Sequence, residues 1–170
     1  MSSGSHIQKA FEAMFRQFQP MLVRYAATML YSREDALEVV QEVFIKIWQK
    51  REELEFGDHL KAYLFRAVRN QALNRIQRNK IETVSLDEQL YLMVEDNEAS
   101  ADEHRKQQLA SIFREIEQLP PNCREIFLMS RVEGLSHKEI AGILEISTKT
   151  VENQIGIALR KIRKGVVQKS

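Results

Sequence analysis

The chain has 170 residues, 44% hydrophobic and 29% charged, with a formal net charge of +1. That is the composition of an ordinary folded protein with room for one compact domain or two small ones. Cys123 is the only cysteine and the four histidines (His6, His59, His104, His137) are scattered, which excludes an intramolecular disulfide framework and leaves no ligand spacing, so neither a metal nor a cofactor is expected.

No apolar run approaches the ~20 residues of a membrane span and no signal-peptide core follows Met1, so a cytoplasmic protein without membrane insertion is expected. Residues 1–6 read as a cloning remnant or an unstructured start. From there Phe11, Met14, Phe15, Phe18, Leu22, Tyr25 and Ala26 recur at three- and four-residue spacing, which predicts an amphipathic helix that Pro20 kinks or divides. A second helix is predicted from near Ser32 to about residue 51, with Glu34 and Asp35 in its first turn. Val40, Val43, Phe44 and Ile47 form its core face. Glu38, Gln41, Glu42 and Gln49 form a polar stripe, flanked by Phe44 and Trp48 as aromatic groups that can be exposed. By pattern alone the simpler reading is a solvated face on a bundle helix, although an acidic stripe with aromatic flanks also suits a basic helical partner.

After a turn at Gly57-Asp58, a third helix is predicted over about 59–78. Residues 59–80 contain six bases and no acid. Arg66, Arg69, Asn70 and Asn74 share a broad face of this helix, where arginine can neutralise phosphates and asparagine can hydrogen-bond the edge of an unstacked base. Tyr63 and Phe65, with Phe56 in the preceding turn, are expected in the core. Residues 81–105 then reverse the charge, with eight acids against one base. This stretch reads as a linker with one short helical turn around 90–93. Its acids should attract the preceding basic helix in the free protein, less so as salt rises.

Leu109, Ile112, Phe113, Ile116 and Leu119 predict another helix, ended by Pro120-Pro121. Pro121 suits the first turn of the next helix, which Gly134 ends. Ser136 and Glu139 have the spacing of a capping box for a short helix. After a break at Glu145-Ile146, Ser147 can cap a final helix reaching about residue 164. Val151, Ile155, Ala158, Leu159 and Ile162 share one face of that helix and should pack on Ile140, Ala141 and Leu144. Thr148, Lys149, Glu152, Asn153 and Gln154 are left facing outward, with amide and lysine groups suited to base edges in the major groove. Arg160, Lys161, Arg163 and Lys164 follow, to bind phosphates or solvate the helix end. Gly156 lies mid-helix, where it costs ~1 kcal/mol relative to alanine and either permits a close approach or is tolerated drift.

The helix-turn-helix over 134–163 resembles both the promoter-binding domain of sigma factors and the output domain of LuxR-type regulators, and does not by itself choose between them. Glu145 departs from both families, which often place glycine in the turn. The N-terminal block separates the two. Residues 35–48, with Val-Gln-Glu-Val-Phe at 40–44 followed by Trp48, resemble the sigma-factor helix that docks on the polymerase clamp. Glu38 stands where aspartate is usual and Leu37 where an acid is frequent. Residues 60–74 resemble the helix that melts and reads the downstream promoter element. A LuxR-type regulator, the alternative, should instead carry a ligand-sensing or phosphoacceptor α/β domain, and no strand pattern is present. Nor is there a glycine-rich phosphate loop or a nucleophile motif, so no enzyme is expected.

The resemblance to extracytoplasmic-function sigma factors covers about residues 11–80 and 109–164. It implies an all-α fold of two small helical domains joined by an acidic linker, the C-terminal one a helix-turn-helix. The implied divisions are 7–84 for clamp binding and downstream-element melting, 85–104 for the linker, and 105–168 for upstream-element binding. It assigns the polymerase contact to Glu38, Gln41, Glu42, Phe44 and Trp48. The downstream element falls to Arg66, Arg69, Asn70 and Asn74, and the upstream element to Thr148, Lys149, Glu152, Asn153 and Gln154. The implied partners are core RNA polymerase, promoter DNA and an anti-sigma factor.

Overall fold

The computed structural model describes residues 2–79 and 103–168, and every regular element among them is helical. The chain divides into two compact units, Met1–Thr83 and Val84–Ser170. The proposed linker, its helical turn at 90–93 and most of its acids lie outside the described residues.

The first unit contains α1 (Ser2–Leu30), α2 (Arg33–Gln49), a short 3-10 turn (Arg51–Glu53) and α3 (Leu60–Arg78). Helix α1 already runs at Ser2. Pro20 neither divides the helix nor ends it. Its missing N–H leaves the Arg16 carbonyl without its usual donor, but Arg16 and Pro20 are both exposed, and water can take that position. Tyr31, in the left-handed region at φ 53°, and Ser32 make the two-residue joint to α2. The Ser32 hydroxyl accepts the Asp35 N–H at 3.1 Å and caps α2. The three helices pack on one another around fully buried Leu22, Tyr25, Leu30, Val39, Val40, Leu64, Phe65 and Val68. The Tyr25 and Phe65 rings meet with centroids 5.2 Å apart.

The second unit contains α4 (Glu103–Glu117), α5 (Pro121–Arg131), α6 (His137–Leu144) and α7 (Thr148–Gln168). Pro121 occupies the first turn of α5. Beyond that helix Gly134 takes φ 65°, which lets the Leu135 N–H donate back to the Met129 carbonyl at 3.1 Å. Helix α7 packs on α4, α5 and α6. Ala158 and Ile162 of α7 join Ile116, Leu119, Cys123, Phe127 and Leu128 in one apolar cluster. Near its end Gly165 lies directly against the buried Glu115 carboxylate of α4, where a Cβ would collide.

Candidate polymerase and nucleic-acid interfaces

The α2 stripe is not one surface. Its acidic flank turns toward α3 and is occupied by Arg75. The Arg75 guanidinium donates from Nη1 to Asp35 at 3.3 Å and Glu38 at 2.7 Å, and from Nη2 to Glu42 at 2.9 Å. Gln71 donates to the other Glu42 oxygen at 2.6 Å and accepts from Lys46 at 3.1 Å. Asp35, Glu38 and Glu42 stand at i, i+3 and i+7, the spacing that stacks three carboxylates along one flank. The hydrogen bond to Glu38, with the charge of Glu42 behind it, holds the Arg75 guanidinium above its already high pKa, against burial acting the other way. Arg75, one of the six bases of the third-helix segment, is thus bound within the unit.

The outward row of α2 is largely apolar. Leu37, Gln41, Ile45 and Trp48 are all exposed, Ile45 by 52%. Phe44 does not join them. Only 3% of it is exposed, because its ring is wedged under Phe15 (centroids 4.9 Å) and Phe11 (6.1 Å) of α1. It therefore supports the surface from below: its place on the core face holds, and its expected exposure as an aromatic flank is corrected. Trp48 is pinned by Phe11 at 4.9 Å on one side and by the Arg51 guanidinium 4.4 Å above its ring, yet stays 37% exposed.

On α3, Arg66, Asn70 and Asn74 are exposed along one face, whereas Arg69 is half-buried and not free. The aromatic residues divide. Phe65 is fully buried as expected, but Tyr63 (46% exposed) and Phe56 (41%) are surface groups. Tyr63 precedes Arg66 by three residues and Asn70 by seven, so it shares their face and adds a stacking surface to the bases and amides. Sequence periodicity could have found Tyr63, because the apolar register of α3 runs through Leu60, Leu64, Val68 and Ala72 and leaves it out.

The second unit builds a helix-turn-helix. The Ser136 hydroxyl accepts the Glu139 N–H at 3.1 Å while the Glu139 carboxylate accepts the Ser136 N–H at 2.8 Å, a complete capping box at the start of α6. Glu145 ends α6 in the left-handed region (φ 57°, ψ 44°), the conformation glycine usually supplies, and the Ile146 N–H closes the turn on the Ala141 carbonyl. Ser147 then accepts the Thr150 N–H at 3.1 Å and starts α7.

Val151, Ile155, Ala158 and Ile162 bury the inner face of α7. Thr148, Lys149, Glu152 and Asn153 are exposed, and none of their side chains makes a hydrogen bond or ion pair in the described structure. Gln154 is half-buried, and its carbonyl accepts the Cys123 S–H at 3.4 Å, so it stands at the edge of this face. Burial pushes the Cys123 thiol up in pKa, with Lys161 acting weakly the other way. Arg160, Lys161, Arg163 and Lys164 are exposed toward the far end of α7.

A capped short helix, a tight turn and a longer helix with an uncommitted polar face define a helix-turn-helix DNA-binding protein. Comparison with known proteins sharpens this. Residues 14–81 match the sigma-70 region 2 family and residues 109–162 the sigma-70 region 4 family. The RNA polymerase sigma factor CnrH of Cupriavidus metallidurans is 24% identical over 168 residues, covering 94% of this chain and 88% of its own. The ECF RNA polymerase sigma-E factor of Haemophilus influenzae is 27% identical over 161 residues, covering 87% and 82%. The sigma factor RpoE of Bartonella quintana, solved in complex with the anti-sigma factor NepR, shares the fold with a TM-score of 0.66 at 19% identity, over 93% of this chain and 97% of that one. The chain is an RNA polymerase sigma factor of the extracytoplasmic-function type, and the region 2 match removes the LuxR alternative that the helix-turn-helix alone had left open. Such factors are regulators of transcription and not enzymes in the usual sense. Among the described residues no helix is long and apolar enough to cross a membrane.

Proposed function

We propose that the two units divide promoter-specific initiation between them in the cytoplasm, with no catalysis by the chain itself. The first unit docks on core polymerase through the outward row Leu37, Gln41, Ile45 and Trp48 of α2, with Glu38 and Glu42 at its acidic edge. The same unit engages the downstream promoter element with Arg66, Asn70 and Asn74, with Arg69 at the margin and Tyr63 and Phe56 as stacking surfaces. The second unit reads the upstream element with Thr148, Lys149, Glu152 and Asn153, and Gln154 at the edge. The observation that carries this reading is the contrast in burial along α2 and α7, where each helix buries one face completely and presents another face ready for a partner.

Run-off transcription with core polymerase from the source organism tests the whole reading. The chain should yield promoter-dependent transcripts, and Gln41→Ala with Trp48→Ala should weaken core binding without loss of helicity. Transcripts that do not depend on the added chain would overturn it. An anti-sigma factor is the natural regulator, as for the Bartonella sigma factor solved with NepR. It would compete for these same faces, so its capture should block core binding.

A further inference from the structure

Gly156 stands in the middle of α7, where helix propensity argues against glycine. Three internal reasons for keeping it fail. Its φ is not positive, since Gly134 is the sole glycine among the described residues in the left-handed region. It admits no close helix packing, because a Cβ built on it meets nothing within 4 Å, in contrast to Gly165, where Glu115 fills the place. It does not end or cap the helix, which runs twelve residues further, to Gln168.

Its position suggests an external reason. Counting 100° per residue, Lys149, Asn153, Gly156, Arg160 and Lys164 fall on one stripe opposite the buried Val151, Ile155, Ala158 and Ile162. Gly156 is one turn beyond Glu152 and Asn153, which face the base edges in the proposed reading, and one turn before Arg160. The stripe is therefore polar, then bare, then basic. A bare step of helix lets an outside chain come closer to the helix axis than any side chain would allow, and the flanking cations make that chain an anionic one.

We propose that Gly156 is the seat of a phosphodiester strand of promoter DNA, the point where the groove wall closes on α7 so that Lys149 and Asn153 reach base edges on one side and Arg160 reaches a phosphate on the other. This inference rests on the promoter-binding reading of α7. Gly156 acts by position, since its own N–H and carbonyl belong to the helix.

The test pairs affinity with stability in the full chain bound to core polymerase. The probe is the duplex that the parent holoenzyme enriches from a randomised pool. Gly156→Ala should weaken that duplex at least about fivefold and Gly156→Leu more, while Gly156→Ala raises the urea midpoint at which the buried Cys123 thiol becomes reactive. The slope of affinity against salt should fall by about one phosphate contact. A variant that is more stable and binds the duplex like the parent overturns the proposal and leaves Gly156 as drift. Loss of affinity for core polymerase without DNA also overturns it, by making the occupant of the seat a protein. If the parent holoenzyme itself shows no duplex preference, the promoter reading fails and this inference with it.

Discussion

The α2–α3 seam and the outer face of α7 use similar residues to opposite ends. In the seam, three carboxylates and one guanidinium satisfy each other, with Gln71 and Lys46 completing the network. On α7, a lysine, a carboxylate, an amide and a hydroxyl lie within two turns and bind nothing in the described structure. Both are amphipathic helices with acids, bases and amides, and composition alone would rank the seam as the better docking surface. The difference is whether a neighbouring helix of the same unit is within reach. Charges that meet across a packed seam set the angle between helices, whereas charges with no such neighbour keep their full hydrogen-bonding capacity for a partner.

Salt gives the widest separation between the two regions. If Arg160, Lys161, Arg163 and Lys164 all contact phosphates, duplex affinity of the holoenzyme should fall about a hundredfold between roughly 50 and 200 mM salt. The urea midpoint reported by the fluorescence of Trp48, the single tryptophan and a resident of the first unit, should hardly move over that range. A shallow salt dependence of DNA binding would remove the basic end of α7 from the interface.

Removing the uncommitted groups comes next. Each lost base contact costs ~1–3 kcal/mol, so Lys149→Ala with Asn153→Ala should reduce promoter preference about thirtyfold or more in a binding competition. The melting temperature followed by circular dichroism should not fall, because neither side chain has a partner among the described residues and alanine favours the helix. Unchanged promoter choice would show that another face of α7 meets DNA.

Breaking the committed network should cost the first unit about 2 kcal/mol. Arg75→Met leaves Asp35, Glu38 and Glu42 facing each other, but their side chains are 36%, 63% and 42% exposed, so solvent screens much of the repulsion. The Trp48-reported urea midpoint measures the loss, and Arg75→Lys should recover only part of it because an ammonium cannot span three carboxylates as a planar fork does. From the arginine side the network is insensitive to pH. Its folded pKa lies above the unfolded one, so its contribution is complete below the unfolded value and fades only as pH rises through the folded value, in strong alkali.

The smallest effect concerns Cys123. Its folded pKa is also raised, so its contribution to the second unit is complete below the unfolded thiol pKa and is lost as pH rises toward the folded one. The circular-dichroism urea midpoint should therefore sag above the ordinary thiol range in the parent and sag less in Cys123→Ala. An equal slope in both would assign the alkaline loss to other groups.

The periodicity of the sequence was enough to place the helices, because each buries a stripe whose spacing is local. The caps were legible for the same reason. Ser136, Glu139 and Ser147 act within three residues of themselves. Pairings across the chain were not. Glu42 meets Gln71 and Arg75 from 29 and 33 positions away, and nothing near Glu42 in sequence shows that its flank faces α3. Phe44 fell on the boundary between the buried and outward faces of α2, where its fate depended on Phe11 and Phe15 of another helix. On α7 the reading held better. The core register there is continuous from Val151 to Ile162, and the face opposite it meets no described helix of its own unit.

The two-residue joint of Tyr31 and Ser32 has a consequence in time. It turns α1 back onto α2 immediately, and every described helix that encloses Tyr25 and Phe65 lies within residues 2–78. The first unit therefore has its whole core in hand while the helix-turn-helix is still being translated, and its contacts are near enough in sequence to form quickly. A polymerase-docking surface that matures before the DNA-reading half exists is available to the first partner that finds it, so capture of the factor can begin on the ribosome.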